Sequence, residues 1–455
     1  MKPYTVYKQS GLPWLGEIPK SWKLQRIKWL FRHAKEINTR RANTNVLSLT
    51  LRGVVNNDPD DPEGLVPKDY ATYQFFKKDD LVFKLIDLEN LRTSRVGLVH
   101  EDGIMSSAYV RLMPRNAKNI RFFFHQFFDL YTRGVYNQLG AGVRSTLGPA
   151  DLLNLPVVVP EAEEQTAIAR FLDHTNHQVD RLIRAKRKII ALLNEQKQTI
   201  IHRAVTRGID PAVSLKPSGI PWIGDIPKHW EVLRAKYVFR EVDERSTTGN
   251  EELLSVSHIT GVTPRSEKNI TMFKAASYVG HKLCRPGDLV INTMWAWMAA
   301  LGVSTHTGII SPAYAVYRPR YPENLVGHYV DGLLRTRPYI SNIICHSTGV
   351  RASRLRLYPE EFFRLSIVLP ATAEQKQIVD WITAATAELN TAIARADREI
   401  GLLREYRTRL IADVVTGKLD VREAAAKLPE ESEAVPSEDV TDQVEEDLVA
   451  EEEEV

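Results

Sequence analysis

The chain has 455 residues, of which 43% are hydrophobic, and this is enough for two or three folded domains with buried cores. It contains no uncharged apolar run of 18 residues and no apolar leader among residues 1–16, so we expect neither membrane insertion nor secretion and place the chain in the cytoplasm. Because Cys284 and Cys345 are the only cysteines, a disulfide framework is not expected either.

The net charge of +3 conceals an uneven distribution. Residues 429–455 hold 13 of the 57 acidic residues and no Lys or Arg, so residues 1–428 carry a net charge of +16. Such a surplus attracts polyanions, of which nucleic acid is the commonest, although the same cations are compatible with an ordinary solvated surface. The acidic end is too polar to form a core, and we expect residues 421–455 to be a disordered tail.

The chain opens with a motif that returns 208 residues later. Residues 10–22 are Ser-Gly-Leu-Pro-Trp-Leu-Gly-Glu-Ile-Pro-Lys-Ser-Trp, and residues 218–230 are Ser-Gly-Ile-Pro-Trp-Ile-Gly-Asp-Ile-Pro-Lys-His-Trp. Pro and Gly at these intervals exclude a helix and predict a turn-rich loop that its Trp and Ile side chains anchor to a core. Each loop precedes a short predicted helix, starting near Leu24 and Val232, whose apolar residues we assign to the core.

Two strand-rich stretches follow these loops, at residues 39–154 and 247–364. Fragments still align between them, but the offset drifts: residues 107–109 match 312–314 at 205 residues, and Gly142-Val-Arg144 matches Gly349-Val-Arg351 at 207. Insertions therefore fall in loops between shared strands. Each stretch is followed by a strand-like segment that ends at a proline, at residues 155–160 and 365–370.

Long amphipathic helices are predicted after both strands, at residues 161–207 and 371–420, with their apolar positions 210 residues apart. Spacings of three, four and seven place these side chains on one stripe. About 45 residues would extend about 67 Å, more than a small domain covers, so we expect the two helices to pair. The alternative is that each is a core helix of its own domain.

The predicted fold class is α+β, with two pseudo-repeated α/β domains joined by two long helices that form an antiparallel coiled coil. The predicted order is a first variable domain at 1–160, a central helix at 161–207, a second variable domain at 208–370, a distal helix at 371–420 and the acidic tail at 421–455.

No catalytic motif is present in the sequence. Without a Pro-Pro dipeptide the chain lacks the Asn-Pro-Pro-aromatic or Asp-Pro-Pro-aromatic turn of amino-methyltransferases, and it has no Gly-x-x-x-x-Gly-Lys phosphate loop. His281, Cys284, Cys345 and His346 fit a metal site poorly, because adjacent residues in an extended chain point to opposite faces. We therefore predict no catalytic residue, no metal ligand and no cofactor in this chain.

Recognition chemistry remains in the variable domains. Arg and Lys donate to phosphates and guanine edges, and aromatic side chains fill or wedge grooves. The candidate DNA-binding residues are Arg52, Lys84, Arg92, Arg95 and Arg144 in the first domain and Arg265, Trp295, Trp297, Arg351 and Arg354 in the second. Each arginine could instead be a surface residue or a phosphate contact, and the two tryptophans could cover a core. The equivalent positions of Arg144 and Arg351 favour backbone contact over base reading.

Together these motifs resemble the specificity (S) subunits of Type I restriction-modification enzymes, over nearly the whole chain to about residue 420. The resemblance rests on the duplicated Gly-Leu/Ile-Pro-Trp-x-Gly-x-Ile-Pro-x-x-Trp motif, on Glu164-Gln165 and Glu374-Gln375 after the two strands, and on the helix ends Ala204-Val-Thr206 and Val414-Val-Thr416. The tail after Leu428 departs from the usual ending of the family.

The resemblance implies a non-catalytic subunit whose two target recognition domains each read one half of an asymmetric bipartite site in double-stranded DNA, while the helices fix the spacing. It implies methylation and restriction subunits as partners. S-adenosylmethionine, ATP and magnesium are then expected in those partners and not in this chain. Two alternatives stay open: a two-domain protein-interaction scaffold, and a DNA-binding adaptor of another defence or modification complex.

Overall fold

The computed structural model describes residues 1–429 apart from 40–42, 52, 59–66, 87, 89–93, 141–145, 268–276 and 350–354. The described chain mixes helices and strands and divides into two compact units. The first unit holds residues 1–187 and 397–429, and the second holds residues 188–396. Each unit thus contains one variable stretch and part of both long helices.

The described strands of the first unit are short. They are β1 Tyr7–Gln9, β2 Glu17–Pro19, β3 Lys23–Arg26, β4 Phe31–His33, β5 Leu47–Thr50, β6 Gly53–Asn56, β7 Gln74–Phe76, β8 Leu81–Phe83, β9 Val96–Leu98, β10 Gly103–Met105, β11 Val110–Pro114 and β12 Pro156–Val159. Its helices are α1 Ile27–Leu30, α2 Ile120–Thr132, α3 Val135–Leu139, α4 Pro149–Asn154 and the start of α5 Ala162–Arg207, with a 3-10 turn at Tyr70–Thr72.

An antiparallel four-stranded sheet of order β4-β11-β8-β9 is the centre of the first unit. Separate antiparallel pairs join β1 to β2, β5 to β6, β7 to β10 and β3 to β12. Helix α2 packs its buried aromatic face on this sheet, where Phe123 meets Phe31 at 5.4 Å and Phe127 meets Phe83 at 5.3 Å between ring centroids. Aromatic side chains at helical spacing therefore close one face of the sheet.

The second unit repeats this sequence of elements. Its strands are β13 Leu215–Pro217, β14 Asp225–Pro227, β15 Glu231–Arg234, β16 Phe239–Val242, β17 Leu254–Ser257, β18 Gly261–Pro264, β19 Lys282–Cys284, β20 Leu289–Ile291, β21 Leu301–Val303, β22 Gly308–Ile310, β23 Ala315–Pro319 and β24 Ser366–Leu369. Its helices are α6 Ala235–Val238, α7 Gly327–Leu334, α8 Arg337–His346, α9 Pro359–Phe362 and the start of α10 Thr372–Val415, with 3-10 turns at Arg265–Glu267, Ala296–Met298 and Pro322–Asn324.

The topology of the second unit matches that of the first strand for strand. Its four-stranded sheet has the order β16-β23-β20-β21, and β13 pairs with β14, β17 with β18, β19 with β22 and β15 with β24. The core gathers buried side chains from β20, β23, α7 and α8, among them Leu289, Tyr317 and Tyr329. The duplication detected in the sequence is thus a duplication of structure.

The repeated opening motif anchors both units as predicted. Trp22 and Trp230 are fully buried, as are Ile18 and Ile226. The short helix predicted to follow it needs correction, because Leu24 lies on β3 opposite Val158 and the helix itself has only four residues, Ile27–Leu30. Leu24 is 37% exposed on this strand, so it is not a core residue.

The long helices contact each other inside each unit, and the contacts run antiparallel. In the first unit Lys186 pairs with Glu399, and Arg407 donates to Asp180 at 2.7 Å. In the second unit Lys197 donates to Asn390 at 2.8 Å.

No helix in the described residues combines the length and the apolar character needed to cross a membrane.

Two positions of the predicted apolar stripes are wrong, because Leu182 on the first helix and Ala392 on the second are exposed. Leu182 is 51% exposed, and its neighbour Ile183 is buried in its place. A residue four positions after Val179 lies closer to the same helix face than a residue three positions after it, because a turn has 3.6 residues.

The expected tail also needs correction at its start. Residues 422–426 form the helix α11 Arg422–Ala426, and Val421 and Ala425 are buried in the core of the first unit. The Arg170 guanidinium donates to the carbonyl oxygens of Leu428 and Pro429 at 2.9 and 2.8 Å. The fold therefore extends to residue 429, and the rest of the predicted tail, 430–455, lies outside the described residues.

Candidate functional site

Five of the ten candidate DNA-binding residues fall within the described chain. They are Lys84, Arg95, Arg265, Trp295 and Trp297. The other five, Arg52, Arg92, Arg144, Arg351 and Arg354, lie outside the described residues. The described residues that flank these positions nevertheless establish which segments of each unit adjoin.

Described residues at the ends of two loops adjoin in the first unit: the ends of the loop between β8 and β9, and residues 146–148 before α4. The Leu147 backbone N–H donates to the Leu85 carbonyl at 2.9 Å, which joins the two segments. The first segment is further held by the Asn137 side chain, which donates to the Leu88 carbonyl at 2.7 Å. These segments carry the positions of Arg92 and Arg144, so the fold brings the described ends of both candidate loops together.

Arg95 is a structural residue and not an exposed recognition residue, which corrects its prediction. Its side chain is 0% exposed, and its guanidinium donates to the Ile86 carbonyl at 3.3 Å. Its own carbonyl accepts the Lys84 N–H at 3.0 Å, so Arg95 closes the base of the loop from within. A base edge or a phosphate cannot reach a side chain that is enclosed in this way. Lys84 itself is half-buried.

The second unit places an aromatic turn after β20, at the equivalent point of its sheet. Trp295 and Trp297 are half-buried and stack with 6.0 Å between ring centroids and an interplanar angle of 20°. The Trp297 indole N–H donates to the Met294 carbonyl at 2.9 Å, and Ala299 closes the turn with a φ of 67°. The two rings are held in a fixed orientation while part of each remains accessible.

A second segment of this unit adjoins the tryptophan turn. The Leu357 N–H donates to the Thr293 carbonyl at 2.9 Å, and the Arg356 Nε donates to the Thr293 Oγ1 at 3.2 Å. Two backbone hydrogen bonds join Thr348 to Arg356, so residues 350–354, with Arg351 and Arg354, connect the two sides of this bridge. Thr293 of the tryptophan turn is therefore fixed to Arg356 and Leu357 of the second segment.

Arg356 and Tyr358 belong to this site, although the sequence interpretation omitted them. The Arg356 guanidinium carbon lies 5.4 Å from the Tyr358 ring centroid, and that ring is exposed. The spacing of Arg351, Arg354 and Arg356 would have drawn attention to the third arginine as well, because all three fall within six residues.

Arg265 lies elsewhere in the second unit. It begins the 3-10 turn after β18, its backbone N–H donates to the Leu253 carbonyl at 2.8 Å, and its side chain is half-buried. Because its backbone contact is with Leu253 and not with the tryptophan turn or the segment that carries Arg356, we treat Arg265 separately.

The hydrogen bond from Leu147 to Leu85 in the first unit and the one from Leu357 to Thr293 in the second occupy equivalent places. Leu85 and Thr293 both follow the third strand of the four-stranded sheet in sheet order, and Leu147 and Leu357 both precede a short helix, α4 or α9. We call the two joined loops of each unit the paired segments. The scaffold is thus repeated while the side chains that it presents differ.

Metal chemistry finds no support within the described chain. No group of three or more His, Cys, Asp or Glu side chains there is placed to hold a metal ion. Burial raises the pKa of the Cys284 thiol to about 11, whereas Cys345 is exposed and His346 is hydrogen-bonded to Glu361 at 2.8 Å. Cys345 and His346 end helix α8, whereas Cys284 lies on β19, which directly follows His281.

Comparisons with known proteins give matches to Type I specificity subunits over part of the chain. A model of the Type I restriction modification DNA specificity domain matches residues 52–195. The chain is 22% identical over 231 residues to a putative type I restriction enzyme MjaX specificity subunit of Methanocaldococcus jannaschii, covering 48% of this chain and 53% of the relative. It is 30% identical over 139 residues to the MjaVIII specificity subunit of the same organism, covering 30% of each. The resemblance to the Type I specificity subunits is confirmed.

A solved structure agrees with this family at the level of the fold. A chain from a structure of a type I R-M system superposes with a TM-score of 0.55 and 15% identity, covering 88% of this chain and 99% of that chain. In the two sequence matches, this chain spans about half of one specificity subunit and less than a third of the other.

Proposed function

We propose that the chain is the DNA sequence-recognition subunit of a Type I restriction-modification complex and has no catalysis of its own. Each variable domain, at residues 1–160 and 208–370, reads one half of an asymmetric bipartite site in double-stranded DNA. The observation that carries this proposal is the pair of joined loop segments, repeated on one topology in both units. A repeated scaffold with different side chains is what two different half-sites require.

The side chains of the paired segments support different half-sites. The first unit offers arginine positions at Arg92 and Arg144, whereas the second adds a stacked tryptophan pair and an arginine held beside a tyrosine. Arginines suit guanine edges and phosphates, and rings contact thymine methyl groups or wedge between base steps. Each good bidentate base contact would contribute about 1–3 kcal/mol of discrimination against the wrong base.

Charge supplies the sequence-independent part of binding. Residues 1–428 carry a net charge of +16, which attracts DNA from a distance and holds it while the bases are tested. Affinity for any duplex should therefore fall steeply with salt, while the ratio between specific and random DNA depends on the paired segments.

We further propose that the long helices form one antiparallel coiled coil that sets the distance between the half-sites. The antiparallel contacts within each unit support this, as do the buried apolar positions Val179 and Ile400. The same helices would dock the methylation subunits. Leu182 and Leu402 in the first unit and Leu192 in the second leave more than half of their surface exposed, as expected of helices that gain a further partner.

Partner subunits would complete the complex. Methylation and restriction subunits would bind the S-adenosylmethionine, ATP and magnesium of the reactions, and the site of action would be the cytoplasm. This chain would contribute only the choice of sequence.

Methylation mapping of the host genome by long-read sequencing tests the proposal. Deleting the gene should abolish one bipartite adenine-methylated motif and leave the others. Restoring the gene with Trp295→Ala and Trp297→Ala together should relax or change one half of that motif and keep the other half. An unchanged methylation pattern after deletion, in a strain that expresses the gene and intact partner subunits, would refute the proposed function.

A further inference from the structure

A second duplicated surface lies at the start of each four-stranded sheet. Residues 26–32 are Arg-Ile-Lys-Trp-Leu-Phe-Arg and residues 234–240 are Arg-Ala-Lys-Tyr-Val-Phe-Arg, 208 residues apart. The three apolar positions of each copy, which include Phe31 and Phe239, are buried. The other four positions are cationic or aromatic in both copies and contribute nothing to those cores.

An exposed aromatic ring occupies the same place in both units. Trp29 is 61% exposed and Tyr237 is 57% exposed. The Lys28 ammonium lies 5.8 Å from the Trp29 ring centroid, and the Lys236 ammonium lies 4.8 Å from the Tyr237 ring centroid. A ring that keeps more than half of its surface in water gains little from folding, so its repetition points to an outside ligand.

An arginine directly after β11 in the first unit and after β23 in the second adds to this surface. The Arg115 N–H donates to the Leu30 carbonyl at 2.8 Å, and the Arg320 N–H donates to the Val238 carbonyl at 2.8 Å. The Arg320 Nε also donates to the Lys236 carbonyl at 2.9 Å. We call these residues the basic-aromatic patch: Lys28, Trp29, Arg32 and Arg115 in the first unit, and Lys236, Tyr237, Arg240 and Arg320 in the second.

No cation of the patch forms a salt bridge within the described chain, although Arg240 acts at longer range on the Glu244 carboxylate, whose pKa it helps to lower. Among the described residues, no carboxylate oxygen lies within 4.0 Å of any of its six cations. Residues 18–35 of the first unit contain six Lys or Arg residues and no Asp or Glu. By contrast, Arg111 and Arg318 in the same sheets are paired with buried aspartates. The patch cations therefore remain available to an anion.

We infer that the basic-aromatic patch of each unit binds the sugar-phosphate backbone of a DNA duplex, beside the base-reading segments. The inference rests on the proposed function. Lys and Arg neutralise phosphates, and an exposed ring packs against the sugar and base faces that border the backbone. Helix α4 connects the second paired segment of the first unit to this surface, since Lys28 donates to its last residue, Asn154, at 3.1 Å.

A competing explanation for the charged residues of the patch is that they protect the sheet edges from pairing with other molecules. Strands β4 and β16 are edge strands of their sheets, and charged side chains on edge strands prevent pairing between molecules. This would account for Arg32 and Arg240. It does not account for Trp29 and Tyr237, because an exposed ring favours association between chains instead of opposing it.

The test is DNA binding by the full chain as a function of salt. A patch variant combines Lys28→Gln, Arg32→Gln, Lys236→Gln and Arg240→Gln. The control variant removes four exposed cations of the long helices: Arg181→Gln, Arg203→Gln, Lys376→Gln and Arg404→Gln. Fluorescence anisotropy with a labelled duplex of random sequence, over a series of KCl concentrations, gives the slope of log K against log salt. Circular dichroism melting confirms that each variant is folded.

We expect the slope of the patch variant to fall in magnitude by about 2 to 4, since each lost phosphate contact removes about 0.9. The control should change it by less than about 1. Binding to random DNA and to the methylated motif should weaken by the same factor, because backbone contacts carry no sequence information.

Equal slopes for the patch and control variants would overturn the inference. So would a patch variant that binds DNA normally but no longer copurifies with the methylation subunits, because the patch would then be a protein-docking surface. Methylation that depends on the gene, together with unchanged DNA binding by the patch variant, refutes this inference alone. A wild-type chain without affinity for any duplex refutes the proposed function as well.

Discussion

The carboxylate of Asp80 accepts a hydrogen bond from the Arg111 Nε at 2.6 Å inside the first unit, where the two side chains are 5% and 3% exposed. Asp80 immediately precedes β8, and Arg111 lies on the neighbouring strand β11. Asp288 and Arg318 repeat the pair at 2.7 Å in the second unit. Each sheet is therefore fastened by an arginine that pairs with a buried aspartate of the neighbouring strand end.

Replacing Asp80 with Asn should destabilise the first unit strongly. The substitution keeps the shape of the side chain but removes the buried counter-ion of Arg111 and leaves only the exposed Glu36 carboxylate, 4.0 Å away. The cost should therefore lie near the low end of the about 3–5 kcal/mol for breaking a buried ion pair. The free energy of unfolding measured by urea denaturation should fall by this amount. Asp79→Asn is the matched control, because Asp79 is exposed and Asn tolerates its positive φ of 68°. Equal effects of both substitutions would contradict the role of the pair.

The two aspartates open the matching fragments Asp80-Leu-Val and Asp288-Leu-Val, yet their arginine partners could not be predicted from the sequence. Arg111 follows Asp80 by 31 residues, and the two meet only because β11 lies between β4 and β8 in the sheet. Strand order depends on tertiary packing, which local periodicity does not encode. The buried tryptophans and the long helices were predictable, since Pro-Gly spacing and a seven-residue repeat are local signals.

The candidate residues were harder to predict for a related reason. Arginine was selected for its chemistry, but Arg95 is buried and donates inward to the Ile86 carbonyl. The exposed ring of Trp29 was not singled out from the sequence, since it lies on a four-residue helix among buried apolar residues. Exposure depends on how segments that are distant in sequence pack together, and residue type alone does not determine it.

Substitution by alanine should destabilise the protein more at Gly417 than at Gly208. Both follow a long helix with a positive φ, of 78° and 75°. A Cβ at Gly417 would overlap Pro19, whereas a Cβ at Gly208 would meet Trp230 at an ordinary 3.5 Å. Gly208→Ala should therefore cost only the left-handed strain of about 1–2 kcal/mol, and Gly417→Ala about 1–3 kcal/mol more. Urea denaturation measures both, and equal losses would show that Pro19 moves aside without cost.

The two thiols should react at very different rates in the native protein. Burial raises the pKa of Cys284 to about 11, so about one thiol in a thousand would be ionised at pH 8, and the side chain is also enclosed. Cys345 is exposed. A disulfide reagent at pH 8 should modify one thiol quickly and the second only after unfolding. Rapid labelling of the Cys345→Ser variant would contradict this.

Acid should remove one contact between α2 and α5. Asp173 accepts hydrogen bonds from His125 at 2.8 Å and Arg121 at 3.0 Å. Burial opposes ionisation, but the hydrogen bond and charge of His125, with the charge of Arg121, hold the pKa of Asp173 below its ordinary value. Folding thus favours the ionised form, so its stabilisation is present above about pH 4 and is lost as the pH falls through the lower folded-state pKa.

The variant Asp173→Asn measures this contribution. It should lower the free energy of unfolding by about 2 kcal/mol at pH 7, a typical value for hydrogen bonds to a charged group. The difference from the wild type should shrink below about pH 4. Glu163→Gln, an exposed acidic residue on the same helix, is the control and should show little change. A difference that stays constant down to pH 2 would assign the effect to packing instead of charge.

The helices should determine the gap between the two half-sites of the methylated motif. Inserting four residues into each helix, after Lys188 and after Ala396, would add about 6 Å to both because a helix rises 1.5 Å per residue. One base pair adds about 3.4 Å, so the gap should grow by at most about two base pairs while both half-sites keep their sequences. Methylation mapping gives the new motif directly. The same four residues added after Leu428 should leave it unchanged, and an unchanged gap after the helix insertions would contradict the proposed spacer.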